Sequence, residues 1–112
     1  MAEIEIKPAG ATVVVRAGGA VLAESTRAMT LFETGYEPVH YIPRDDVAMA
    51  FLDASDTRTR CPHKGEATYF HLALKSGTLR DAAWSYPEPH EGVARIAGLV
   101  AFDAGKVAVE EL

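Results

Sequence analysis

Cysteine is almost missing from this chain: Cys61 is the only one in 112 residues. That excludes an intramolecular disulfide and every zinc cage built from several thiolates. Long apolar runs are missing too, and none approaches the roughly 20 residues of a membrane-spanning helix. There is no excess of positive charge, since 11 Lys and Arg face 16 Asp and Glu, for a formal net charge of -5. This balance disfavours loose attachment to nucleic acid or to an anionic membrane, so neither is expected as a partner. Met1-Ala2-Glu3-Ile4-Glu5 lacks the basic and apolar regions of a signal peptide. The cytoplasm is the expected location. The sequence has no internal repeat and no Gly/Ser linker. One β-rich domain is therefore expected over residues 1–112.

What is present is period-2 alternation, the mark of a half-buried strand. Ile4 and Ile6 alternate with charged residues, and Val13 and Val15 share one face of the segment 11–17. Gly18-Gly19 supplies the positive φ of a two-residue hairpin turn to a strand at 21–25. Further strands are read at 28–33, 39–42, 59–61, 66–75 and 78–86. A last hairpin, 99–102 with 106–110, is expected around Ala104-Gly105. Val47, Ala50, Phe51 and Ala54 recur at helical spacing, which predicts one short helix at about 44–54. Residues 91–97 fit either a loop or a short helix. The fold class is therefore mainly β, as a small antiparallel barrel or two packed sheets with that one helix. Val13, Val15, Phe51, Phe70, Leu72, Leu74 and Phe102 are the expected core.

Several stretches occur together in a recognisable order. They are Glu33-Thr-Gly-Tyr-Glu-Pro-Val-His-Tyr-Ile-Pro-Arg-Asp-Asp-Val47, the Cys61-Pro-His-Lys-Gly65 loop with its flanks, Trp84-Ser-Tyr86, and the tail from Ile96 to Phe102. In these motifs the chain resembles the small bacterial family catalogued as domain of unknown function 427, from the strand at Ala11 to the C-terminus. The resemblance implies a small, soluble, β-rich domain and no established reaction. Position 63 is commonly another aromatic in that family, so His63 is a variant there. The family carries a nucleotidyltransferase-like label, and no residue pattern in this sequence matches that activity.

The residues with chemical potential cluster near that loop. Arg58, Arg60 and Lys64 make a basic island around Cys61 in an acidic chain. Nearby positive charge favours a thiolate, but alternation along a strand turns Arg58 and Arg60 away from Cys61. A free Cys is also often just a small buried hydrophobe. Cys61 with His63, His40, His71 or His90 falls short of a metal-ligand pattern, and no metal or other cofactor is expected. If the hairpin after residue 75 turns at Ser76-Gly77, Tyr69 faces Trp84 and His71 lies near Ala82. The expected site is therefore a ligand-binding one, formed by Arg60, Cys61, His63, Lys64, Tyr69, Trp84 and Tyr86. It would hold a small anionic or aromatic compound. Two alternatives remain open: an enzyme using Cys61 or Glu33 with Lys64, and a structural domain whose free edges pair in a homo-oligomer. Arg44 is expected to pair with Asp45 or Glu33 at the surface.

Overall fold

The computed structural model describes residues 3–112; Met1 and Ala2 of the expected domain lie outside the described residues. Ten strands follow one another: β1 (Ile4–Pro8), β2 (Val13–Ala17), β3 (Ala20–Ser25), β4 (Met29–Glu33), β5 (Val39–Tyr41), β6 (Leu52–Cys61), β7 (Gly65–Leu74), β8 (Gly77–Ser85), β9 (Val100–Phe102) and β10 (Ala108–Glu111). They form three antiparallel sheets, β1-β4-β5, β10-β2-β3 and β6-β7-β8-β9, and no closed barrel. Ile42 and Val100 exchange two 2.8 Å backbone hydrogen bonds, which join the β5 edge of the first sheet to the β9 edge of the third. Among the described residues, no helix is long and apolar enough to cross a membrane.

The β6–β9 sheet is apolar on both faces, and each face has its own cover. On one side Phe70, Leu72 and Leu74 face an aliphatic core that includes Val13, Val15, Leu22, Val100 and Phe102. The sheet β10-β2-β3 closes that side. On the other side Ala67, Tyr69, Trp84 and Tyr86 meet Leu31, Tyr41 and Ile96, from the sheet β1-β4-β5 and a 3-10 segment at 91–96. Alternation along β7 thus sorts its residues between two different cores. Val13, Val15, Leu72 and Phe102 are buried as expected. Phe51, Phe70 and Leu74 are only half-buried at the rim of the aliphatic core. The Arg44 guanidinium covers the Phe70 ring at 5.5 Å.

The helix expected at 44–54 does not form. The segment holds two single 3-10 turns, Arg44–Asp46 and Met49–Phe51. Between them Val47 is extended (φ -110, ψ 135) and bridges Ala23, while the Ala48 N–H donates to the Leu22 carbonyl at 2.7 Å. A free sheet edge on β3 thus captures a β-branched residue, and a helical pattern only two turns long has little to oppose it. From Leu52 the chain is already strand. The expected last hairpin also fails, because β9 pairs with β8 and β10 pairs with β2. The turn at 103–106 therefore passes the chain from one sheet to another.

Two irregularities shape the β6-β7-β8 hairpins. The β7–β8 turn lies at Lys75-Ser76, since Leu74 pairs with Gly77, one residue earlier than read from the sequence. A bulge at residues 80–82 then restores the expected register, so that Tyr69 does pair with Trp84 while His71 does not oppose Ala82. Asp81 sits in the bulge at φ 50, the one non-glycine residue with positive φ among the described residues. Its N–H donates to His71 Nδ1 at 3.0 Å. Its carboxylate accepts from Ser55 Oγ at 2.6 Å and Thr57 Oγ1 at 2.7 Å, in the matching bulge of β6. Asp81 therefore ties the two bulges together across β7.

Candidate functional site

The aromatic face is not fully covered. Between it and the β4–β5 connection lies a half-open cleft of about 680 Å3. The three-residue loop Pro62-His63-Lys64, between β6 and β7, forms one end. This loop is held from outside the cleft. Cys61 pairs with Gly65, and the His90 N–H donates to the Lys64 carbonyl at 2.9 Å. Gly65 has φ 111 and lies under the backbone of residues 88–90, where a Cβ would sit 3.5 Å from the Glu88 carbonyl oxygen. Its close approach is thus to its own chain rather than to a ligand.

Anchoring the loop turns Lys64 inward. Its Nζ lies 2.9 Å from Glu33 Oε1, with side chains only 12% and 10% exposed. The pair joins residues 31 apart in sequence. Burial works against the Lys64 charge, but the Glu33 hydrogen bond and the nearby Cys61 outweigh it, and the pKa rises above the ordinary lysine value. Glu33 is therefore half of a buried ion pair. Arg44, expected to pair with Asp45 or Glu33, instead donates Nε–H to the Gly98 carbonyl at 2.9 Å.

The walls are aromatic. Tyr69 and Trp84 are cross-strand partners with ring centroids 6.4 Å apart and planes tilted by 41°. Tyr41 and Tyr86 make a second tilted pair at 6.4 Å and 47°. Trp84 Nε1–H donates to the Tyr41 hydroxyl at 3.3 Å, which links the two pairs. The Tyr69 hydroxyl shares a 2.9 Å hydrogen bond with Thr59 Oγ1. Burial pushes the Tyr41 and Tyr86 phenols above their usual pKa, so both stay neutral at physiological pH.

Of the residues expected at a site, Cys61, His63, Lys64, Tyr69, Trp84 and Tyr86 all border this cleft. Arg60 does not. It points to the opposite side of β6, where its guanidinium lies 3.8 Å from Glu66 and both side chains are largely exposed. The period-2 alternation that brings Cys61 into the cleft turns its neighbour out. Glu37, Asp81 and Asp103 also border the cleft, and the sequence reading had not placed them there. Only Asp81 left a local signal, as a polar residue inside a strand otherwise read as alternating. The histidines considered with Cys61 are dispersed. His40 bonds Thr30 and Glu111, and His71 lies at the bulge. Among the described residues no three His, Cys, Asp or Glu side chains converge on a point.

Comparison with known families gives one match. A family model described as a domain of unknown function (DUF427) covers residues 5–111. No curated protein matches the chain.

Proposed function

The chain belongs to the DUF427 family, and from that premise we propose that it is a small-molecule-binding module whose cleft takes an aromatic compound. The observation that carries this reading is the cleft itself. The half-buried Tyr69–Trp84 pair borders one concave space of drug-like size, backed by the buried Tyr41–Tyr86 pair and with a few placed polar groups at its loop end. Of the two ligand characters expected from the sequence, aromatic is favoured over anionic. Among the described residues Lys64 is the one ammonium at the cleft, and Glu33 already holds it. The proposal places this activity in the bacterial cytoplasm, on a small molecule rather than on nucleic acid.

Trp84 is the only tryptophan of the chain, so its emission reports on the cleft directly. A thermal-shift screen of nucleotides and free aromatic compounds, set against sugar phosphates and carboxylates, tests the reading. A true ligand raises the melting temperature and changes Trp84 emission. If no compound does so, or if hits bind Trp84→Leu equally well, the reading fails.

A second reading is an enzyme. Cys61 and Lys64 border the same cleft, which would place a thiol, an ammonium and Glu33 around a bound substrate. Alkylation of Cys61 by iodoacetamide at pH 7 separates the two. Rapid reaction, blocked by a ligand from the screen, favours a nucleophile; the slow rate of an ordinary thiol favours binding alone.

A further inference from the structure

The charges around the cleft narrow the class of compound it takes. Among the described residues four carboxylates border it, Glu33, Glu37, Asp81 and Asp103, against the single ammonium of Lys64. Glu33 and Lys64 face each other at 2.9 Å and cancel. The other three are countered less closely, with His71 3.6 Å from Asp81, Lys106 3.9 Å from Asp103, and no cation paired with Glu37 among the described residues. Glu37 is exposed and makes no ion pair among the described residues. Asp81 receives two hydroxyl hydrogen bonds, which hold its pKa below the usual carboxylate range. His71 Nδ1 lies 3.6 Å from its Oδ1 but faces Asp81 as the acceptor of its N–H and gives the carboxylate no hydrogen bond. Asp103 accepts the Gly105 N–H at 2.8 Å, and its nearest cation, Lys106, is 3.9 Å away and itself bound to the Arg80 carbonyl. The space beside the aromatic walls therefore lies in a negative field.

Aromatic faces add to that field. Each ring carries negative charge on its face and attracts a cation within about 6 Å, and tryptophan does so most strongly. The Tyr69 and Trp84 rings, tilted by 41°, both border the cleft and remain half-buried, with the buried Tyr41–Tyr86 pair behind them. A quaternary methylammonium suits this arrangement better than a primary one. It has no N–H donors to satisfy and sheds little hydration on leaving water.

We propose that the cleft selects organic cations, specifically quaternary methylammonium groups, held against Trp84 and Tyr69 in the field of Glu37, Asp81 and Asp103. This rests on the reading of the cleft as an aromatic-walled small-molecule site and adds that the same walls take a cationic group, whether or not its carrier is itself aromatic.

Three probes of one shape test it: choline, the uncharged 3,3-dimethyl-1-butanol, and the anion 3,3-dimethylbutanoate. Each is titrated into the full chain, with Trp84 emission and calorimetry as readouts. Choline should bind about tenfold more tightly than the alcohol, and the anion more weakly than either. Raising the salt to 1 M should shrink the advantage of choline without changing the alcohol. The double variant Glu37→Gln with Asp103→Asn should weaken choline several-fold and leave the alcohol as it was. Equal or tighter binding of the alcohol or the anion overturns the proposal, as does failure of choline to bind. Either result leaves the broader aromatic reading to its own screen, because a neutral aromatic hit lost in Trp84→Leu would still support it.

Discussion

The two faces of the β6–β9 sheet come from the same strands and end differently. One face is aliphatic and closed, with Val13, Val15, Leu22, Leu72 and Val100 at or near zero exposure. The other is aromatic and partly open, with the Glu33–Lys64 pair and the Trp84–Tyr41 hydrogen bond set into it. Branched aliphatic side chains interdigitate and leave no gap. On the aromatic face Tyr41 and Tyr86 are buried too, but Tyr69 and Trp84 keep part of their surface open at the cleft and hold their polar tips on Thr59 and Tyr41. The contrast teaches where stability and recognition reside in this molecule: the closed face holds the fold, and the open face is free to hold something else.

The largest expected effect breaks the closed face. Leu72→Ala should lower stability by about 2–5 kcal/mol in denaturant melts, with ligand affinity in the cleft unchanged. A matching loss of affinity would show that the two faces are not independent. Phe70→Ala, at the half-buried rim, should cost clearly less than Leu72→Ala.

Next comes the ion pair. Lys64→Met leaves Glu33 covered and unpaired, at a cost of about 1–3 kcal/mol. Adding Glu33→Leu should restore most of it, because no uncompensated charge then remains. Simple additivity of the two changes would mean that the pair is not coupled.

Trp84→Leu sharpens the contrast from the other side. Affinity for a cleft ligand should fall about tenfold, or 1.4 kcal/mol, with little change in the denaturation midpoint. A large loss of stability without loss of binding would make Trp84 a core residue like those of the closed face.

The smallest effects are those of pH. Lys64 has a raised pKa in the folded chain, so its stabilisation is complete below its unfolded value near 10.4 and fades as pH rises through the folded value. The wild type should therefore lose stability above about pH 10 in a way that the Lys64→Met, Glu33→Leu double variant does not. Asp81 shifts the opposite way. Its folded pKa is lowered, first by the Ser55 hydrogen bond and then by that from Thr57. Its contribution is present above the unfolded value near 3.9 and disappears as pH falls through the lower folded one. Asp81→Asn should flatten the acid limb of the stability curve, read by melts between pH 2 and 5.

What the sequence by itself determined is local. Alternation marked the strands, and Gly18-Gly19 marked a turn that the structure builds with φ 55 and 80. The pairing of Tyr69 with Trp84 was legible as well, although its register depends on an early turn and a bulge that offset each other. The loop residues Cys61, His63 and Lys64 and the aromatics were legible as a cluster because hairpin geometry brings near neighbours to one end. Tertiary structure alone decided the rest. Val47 left a helical pattern because a distant strand edge offered it a partner. The chain after β9 crossed to another sheet instead of turning back. Lys64 found Glu33 across 31 residues, and Asp103 reached the cleft from the far end of the chain. Period and turn chemistry are written in adjacent residues, since they express backbone sterics over a few bonds. Which edge is left unpaired and which charges meet depends on how sheets pack, and that is set by the sum of many contacts between residues far apart in sequence.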